Sequence, residues 1–235
     1  MLVVIFLNPT LMKRILFIAI FITLFLSSNA QKGKIEYGFQ SGLNISTAYG
    51  DGVSKDYMSP LSGLQMGGYM KINRAEHWGF KFLLSYDKIG WTYQSLSIQN
   101  NTGTGIVTAD ILFNLDYLNM PVLVEYSFGK KLKLNFAGGP FLGILLNNKI
   151  VTNLKQPIPP NQEASSQVSS NNRESLNFGL SLGTGIQIPI AAKIKLDFNL
   201  RNNIGVTNIY KSNSGQGSTI KTNTFSILTG LTFEM

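Results

Sequence analysis

Apolar and polar residues alternate strictly along residues 175–190, which read SLNFGLSLGTGIQIPI. Every even position from Leu176 to Ile190 is apolar or threonine, and the odd positions hold serine, asparagine, glycine, glutamine and proline. A period of two residues indicates a β-strand. Because the weaker face is small and uncharged, it suits a crowded interior. This is typical of a barrel strand that crosses a bilayer in about 9–11 tilted residues.

The same alternation recurs along the chain and predicts seven more strands. Their connections alternate long and short, as in outer-membrane barrels with short periplasmic turns, long external loops and both termini on the periplasmic side. We therefore predict an all-β fold, an eight-stranded antiparallel up-and-down transmembrane β-barrel. The additional strands are predicted near residues 35–46, 63–72, 78–93, 111–128, 132–147, 194–201 and 225–234.

The alternation changes phase in two of these strands. In the third, the apolar face moves from even positions to Ile89, Trp91 and Tyr93, which predicts a β-bulge near Asp87–Gly90. The fourth strand shows a similar slip between Leu115 and Leu118. Proline removes a ladder hydrogen bond, and a closed barrel has no free edge. Local bulges are therefore also expected at Pro121 and Pro140, inside the fourth and fifth strands.

Two long connections matter for function. Residues 96–108 are rich in asparagine, threonine and glycine, and residues 148–174 contain mainly asparagine, glutamine, serine and proline. The second has too little apolar content to pack, so we expect a mobile external loop there.

The first thirty residues match a secretory signal peptide. Lys13 and Arg14 precede the apolar run from Ile15 to Leu26, and small residues lead up to Ala30. We expect cleavage after Ala30, which leaves residues 31–235 as the barrel. An uncleaved anchor is the alternative, and Met12 is a second candidate for the true start.

Charge and cysteine content narrow the function classes. Loss of the two cations Lys13 and Arg14 lowers the formal charge from +8 to +6. The remaining cations are scattered, so they favour anionic lipid head groups over nucleic acid. Without cysteine, the chain has no lipoprotein acylation site, disulfide framework or thiolate metal site. We expect no cofactor and no resident metal.

A soluble ligand-carrying barrel would show the same alternation. It would have to enclose roughly forty large apolar side chains, whereas an eight-stranded barrel has an interior just wide enough for side chains or one small ligand. Facing outward, these residues would form a lipid-facing belt. Aromatic residues near strand ends suit interfacial girdles, and we assign to them Tyr37, Trp78, Trp91, Tyr93, Phe128 and Phe233.

The alternation also directs ten charged residues into the lumen, five cations and five anions. In a narrow interior they should pair, because an unpaired buried charge is costly. We interpret them as a structural charge network; an ion-selective or gated pore lined by the same groups is the alternative. The ten residues are Glu36, Lys71, Lys81, Asp87, Glu125, Lys133, Lys195, Asp197, Arg201 and Glu234.

Candidate catalytic residues are scarce. The single histidine, His77, lies beside Glu76 in a predicted periplasmic turn, where a solvated role is favoured over that of a catalytic base. Gly183-Thr184-Gly185 lacks the lysine and the helix of a phosphate-binding loop. We predict a protein that is not an enzyme.

Four segments resemble the PorT-type outer-membrane β-barrels of Gram-negative bacteria. They are residues 117–121 (YLNMP), 138–140 (GGP), 183–186 (GTGI) and 205–209 (GVTNI). The resemblance implies a barrel that helps a secretion machinery move proteins across the outer membrane. We predict a monomeric structural or interaction barrel with protein partners at its external loops; a small porin-like channel is the alternative.

Overall fold

A computed structural model describes residues 34–99, 106–155, 165–168, 173–210 and 219–235. The predicted signal peptide, its predicted cleavage site and Met12 lie outside these residues. None of the helical segments in the described part of the chain has the length and hydrophobicity needed to span a bilayer. The strands are β1 (Ile35–Tyr49), β2 (Met58–Asn73), β3 (Trp78–Gln99), β4 (Ile106–Phe128), β5 (Lys133–Leu154), β6 (Ser165–Val168), β7 (Leu176–Ala191), β8 (Ile194–Gly205) and β9 (Lys221–Glu234).

Eight of these strands form a closed antiparallel ring. The hydrogen-bonded order is β4-β3-β2-β1-β9-β8-β7-β5, and β5 also pairs with β4, which closes the ring. The short strand β6 lies outside the ring and pairs with the outer end of β5. The predicted eight-stranded up-and-down barrel is therefore confirmed.

The outer face of the ring carries a broad apolar surface. Leu43 on β1, Leu182 on β7 and Ile227 on β9 are each more than half exposed, although all three lie in strand interiors. A water-soluble monomer rarely exposes so large a contiguous apolar surface. The inner face instead holds buried polar side chains such as Gln40 and Ser226. This inversion of the usual pattern is what a bilayer requires.

Three neighbouring strands are much longer than the others. β3, β4 and β5 contain 22, 23 and 22 residues, whereas the remaining ring strands contain 12 to 16. Since about 10 residues cross the bilayer, these three continue well beyond it on the external side, where β6 adds a fourth strand. Parts of the predicted loops 96–108 and 148–174 are therefore strand, and that prediction is corrected.

The predicted bulge near Asp87–Gly90 is wrong. From Ser85 to Tyr93, β3 pairs with β4 without any shift of register. Ile89 and Trp91 continue the inward phase of Asp87, and both are buried. Their hydrophobic side chains resemble a lipid-facing pattern in the sequence, but they pack inside the barrel. The extra residue of β3 lies further along, at the register shift between Tyr93 and Leu96, where Ser95 has a positive φ of 55°.

The neighbouring strand β2 contains a bulge opposite this part of β3. The β2–β3 register shifts between Pro60 and Gln65. Gly63 lies in this segment, where a Cβ would collide with the carbonyl oxygen of Lys88. Across the gap, the hydroxyl of Ser46 on β1 donates to the carbonyl of Gly90 at 2.9 Å and accepts from its N–H at 2.6 Å. A side chain thus replaces the missing ladder bonds.

The second predicted phase slip, in β4, is also wrong. Leu115, Tyr117 and Asn119 all face inward and are buried, so β4 keeps one phase. The extra residue belongs to β5, where the register shifts opposite Asp116–Tyr117. Leu146 of β5 lies at that shift and is 55% exposed.

The two strand prolines do not produce bulges. Around Pro121 the ladders to β3 and β5 skip two residue pairs each, yet the register on both sides stays the same. Pro140 pairs with Leu180 of β7 in a continuous ladder. The barrel therefore tolerates the lost donor by a local opening of the β4 ladders, without an inserted residue.

Exposed aromatic residues gather at the periplasmic end, as predicted for Tyr37, Trp78, Phe128 and Phe233. Trp78 contacts the ring of Tyr126, with centroids 4.8 Å apart. The girdle assignment of Trp91 is wrong, because this side chain is only 1% exposed and faces inward. Its ring stacks on Phe113 with centroids 5.1 Å apart.

Candidate functional site

The periplasmic half of the lumen contains a chain of ion pairs. Lys71 contacts Glu125 at 2.6 Å and Glu36 at 3.7 Å. Lys195 contacts the other side of Glu36 at 2.5 Å, and Lys81 lies 3.7 Å from Glu125. Residues from β1, β2, β3, β4 and β8 meet here because alternate positions of every strand point inward. These contacts link strands that are one or two positions apart in the ring, and together they extend from β4 to β8.

Next to these pairs, Tyr69 crosses the lumen. Its ring lies over Gly38, where a Cβ would collide with it. The Tyr69 hydroxyl forms a hydrogen bond with the hydroxyl of Thr232 and donates another to Asp197 at 2.9 Å. Asp197 also accepts from Gln187 at 2.9 Å. A side chain of β2 is thereby fixed to β9 and β8, which are two and three positions away around the ring.

The next level is polar and holds one more cation and one more anion. Arg201 donates to the side-chain oxygen of Gln40 at 3.2 Å. Asn119 donates to Asp87 at 2.5 Å, and Gln65 donates to Ser85 at 3.4 Å. Polar side chains therefore continue the hydrogen-bonded lining of the lumen from the periplasmic end to its middle.

Eight of the ten residues predicted to line the lumen are buried there, four cations and four anions. The other two lie at the periplasmic rim: Lys133 is half-buried, and the side chain of Glu234 is 21% exposed and bridges Lys34 and Lys195. The eight buried residues are Glu36, Lys71, Lys81, Asp87, Glu125, Lys195, Asp197 and Arg201.

An apolar cluster lies at the external end of the lumen. Ile89 and Trp91 of β3 pack there with Leu115 and Tyr117 of β4. Ile209, from the segment between β8 and β9, inserts among them and is fully buried. We call this cluster the external plug. The apolar residues that produced the apparent phase slips in β3 and β4 pack in it.

A small cavity lies in the polar middle of the lumen. A cavity of about 10 Å³ lies among Lys81, Glu125, Asn135, Asn199 and Arg201. That is about the volume a single water requires. The side chains that line this cavity therefore leave space for about one water among them.

Hydrogen bonds join neighbouring external segments at the mouth of the barrel. The backbone N–H and the hydroxyl of Thr219, which precedes β9, both donate to Asp51, which follows β1. These two bonds hold the pKa of the exposed Asp51 carboxyl below its ordinary value. Ile209 and Ile220 are joined by a backbone hydrogen bond of 2.9 Å. Side-chain and backbone hydrogen bonds thus hold these segments of the mouth together.

Arg173 is a residue of the mouth that sequence reasoning missed. It lay within a segment predicted to be a loop, yet its backbone forms a bridge with Tyr210 and its side chain is 5% exposed. The guanidinium carbon lies 5.1, 5.2 and 5.3 Å from the ring centroids of Trp91, Phe113 and Tyr210. A lone arginine in an uncharged stretch, residues 164–173, was the only signal in the sequence.

The aromatic contacts offset only part of the cost of burying Arg173. A cation–π contact contributes about 0.5–2 kcal/mol, whereas an unpaired buried ion costs several kcal/mol. Among the described residues, no carboxylate forms an ion pair with it.

His77 lies in an exposed position between β2 and β3. Its Nδ1 is 3.0 Å from the carbonyl oxygen of Ser127, and its ring is 5.6 Å from that of Tyr126. These contacts hold the turn against β4. The prediction that the protein is not an enzyme stays a prediction.

A closed eight-stranded ring with an apolar outer belt and a polar, filled lumen defines a transmembrane β-barrel of the outer membrane. The chain belongs to the outer membrane protein beta-barrel domain family, whose model matches residues 29–211. It is a protein of the outer membrane. The structure adds β9, beyond the matched range, as the strand that closes the ring with β1.

Several solved structures are similar to this chain. Neisserial surface protein A (NspA) has a TM-score of 0.44 and 12% identity, over 85% of this chain and 97% of that one. OprG from Pseudomonas aeruginosa has a TM-score of 0.42 and 12% identity, over 88% of this chain and 98% of that one. Ail, the attachment invasion locus protein of Yersinia pestis, has a TM-score of 0.39 and 13% identity, over 84% of this chain and 98% of that one. The comparison with curated proteins finds no match.

Proposed function

We propose that this protein is a monomeric, non-conducting structural and interaction barrel, which presents a rigid external surface from the outer membrane. The observation that carries the proposal is the filled lumen. Ion pairs link the strands in its periplasmic half, Tyr69 reaches from β2 to β8, and Arg201 reaches from β8 to β1. The external plug occupies its outer end.

A pore would need its charged residues to face a water-filled path. Here the carboxylates of Glu36 and Glu125 each contact two ammonium groups instead. Moving an ion through the lumen would require breaking these pairs, because the lumen is no wider than its side chains. Paired charges therefore favour the structural network over the porin-like channel.

The extended ends of β3, β4 and β5, together with β6, are the surface that the proposal assigns to partners. Their length places them outside the bilayer, and β6 pairs with Ile150–Asn153 at the margin of this sheet. A rigid β-surface presents its residues to a protein with little loss of conformational entropy on binding.

A narrower proposal follows from the PorT-type resemblance: the partner is a component of a protein-secretion machinery. Its experiment is cross-linking in intact cells through a photoreactive residue at Leu154, at the external end of β5, with one at Trp78 on the periplasmic girdle as the control position. Adducts with secretion components from position 154 alone support it, and adducts equal to those of the control count against it.

The closed lumen predicts heat-modifiable migration on detergent gels together with no conductance in planar bilayers. The gel shift shows that the purified protein is folded, so the absence of current steps then reports on the lumen itself. Current steps from heat-shifted protein would contradict the proposal and support the channel.

Replacing both Lys195 and Arg201 by methionine further distinguishes a structural charge network from a pore. In a structural network, this double variant loses the heat-resistant band because Glu36 loses the closer of its two ammonium partners and Gln40 loses Arg201. In a pore, the double variant keeps the band and changes only the size or selectivity of the current.

A further inference from the structure

In the part of the chain that the structure describes, Arg173 is a buried cation that the lumen network does not balance. Among the described residues, the buried lumen charges are four cations and four anions, and Arg173 is a further buried cation. The carboxylate next to it in sequence, Glu174, is exposed. Burial lowers the pKa of Arg173, and the groups that act against this effect are the phenols of Tyr117, Tyr210 and Tyr93.

The atoms without partners around Arg173 share one chemistry. Nε and Nη1 of Arg173, Nε1 of Trp91 and the hydroxyl of Tyr117 are all buried and make no hydrogen bond in the structure. All four groups can donate a hydrogen bond, and three of them can only donate. The group that would satisfy them is therefore an acceptor, and a negatively charged one would also neutralise Arg173.

We propose that Arg173, Trp91, Tyr117 and Tyr210 form a binding site for a small oxyanion, a phosphate or a carboxylate, at the external mouth of the barrel. The planar guanidinium suits both groups, because two of its N–H bonds can reach two oxygens at once.

The residues that line this site differ in solvent exposure, and the exposed side is where an anion would enter. Trp91 and Tyr117 are 1% exposed, whereas Tyr210 is 38% exposed. Phe113, which also contacts the guanidinium, stacks on Trp91 and completes the inner wall. An anion therefore enters from outside the cell past Tyr210, and does not pass through the lumen.

The sequence offers a direct optical probe of the site. The chain has two tryptophans, and Trp78 lies at the opposite, periplasmic end of the barrel. In a Trp78→Phe variant, the emission of Trp91 alone reports on the surroundings of Arg173. The protein, folded in phosphate-free detergent micelles, is titrated with inorganic phosphate and, separately, with acetate, at constant ionic strength set by chloride.

We expect a saturable change in Trp91 emission with phosphate, acetate or both. Comparison of the two titrations identifies the preferred oxyanion. A third titration, with a phosphomonoester lipid added to the micelles, distinguishes a lipid head group from a free anion. No saturable change in any titration, or the same change with chloride alone, would overturn the proposal.

Arg173→Gln in the same background should weaken binding by at least about tenfold, since a charge-assisted hydrogen bond is worth at least that factor. Arg74→Gln, which removes the same charge from an exposed periplasmic turn, should bind like the parent. If Arg173→Gln loses the heat-shifted band, Arg173→Lys is used for the affinity measurement instead. Lysine keeps the positive charge but lacks the paired N–H groups of the guanidinium. Unchanged affinity in the folded variant would refute the site.

Discussion

Replacing Glu125 by glutamine is expected to lower the free energy of unfolding by about 3–5 kcal/mol, the usual cost of removing one partner from a buried ion pair. Glu125 is 3% exposed and contacts both Lys71 and Lys81. Lys71 keeps Glu36, but Lys81 has no second carboxylate within ion-pair distance among the described residues. The measurement is the midpoint of denaturant unfolding in lipid vesicles, followed by the heat-modifiable band.

Two further variants show whether the loss comes from unpaired charge. Glu234→Gln removes a carboxylate from the rim, where its partner Lys34 is 72% exposed, so we expect a loss of at most about 1 kcal/mol. The double variant Glu125→Gln with Lys81→Met should recover part of the stability, because it removes the stranded cation. Equal losses in Glu125→Gln and Glu234→Gln would contradict the charge network.

Replacing Trp91 by alanine should destabilise the barrel by about 3–5 kcal/mol, as truncation of a large buried aromatic residue leaves a cavity. Trp91 is 1% exposed, stacks on Phe113 and packs in the external plug. The same unfolding measurement in vesicles gives the value.

Trp78→Ala is the matched control, because it removes the same side chain from the lipid-facing girdle. Lipid can fill the space it leaves, so the loss should be dominated by the contact with Tyr126, about 0.5–1.5 kcal/mol. If both alanine variants lose the same stability, Trp91 does not face a packed interior, and its earlier assignment to the girdle would regain support.

The ring of strands could be predicted because its pattern is local. Alternation along a single strand, as in residues 175–190, depends only on which face meets lipid and which meets the lumen. The inward direction of Glu36, Lys81 and Arg201 follows from the same alternation, and the structure places all three in the lumen.

The pattern misled where a hydrophobic residue has two possible environments. Ile89, Trp91 and Leu115 were interpreted as lipid-facing, since an apolar side chain usually faces lipid in a barrel strand. They face inward because they form the external plug with Ile209, a residue that reaches them from more than ninety positions away in the chain. Single-strand periodicity carries no information about such a partner.

The extension of β3, β4 and β5 was missed for a related reason. Residues 148–154 are mostly polar and looked like a loop, but the ladder from Ala109 to Leu115 of β4 pairs them as strand. Backbone pairing outside the bilayer does not require apolar side chains, so it left little signal in composition.

The sequence by itself determined the architecture, the location in the outer membrane and most of the charged residues that line the lumen, because strand alternation and bilayer thickness are sufficient for these. Only the tertiary structure decided which charges pair, where the bulges lie, and that Arg173 is enclosed by Trp91, Phe113 and Tyr210. These features depend on the register between strands and on segments distant in the chain. The physical reason is that pairing and enclosure are properties of several strands together, whereas alternation is a property of one.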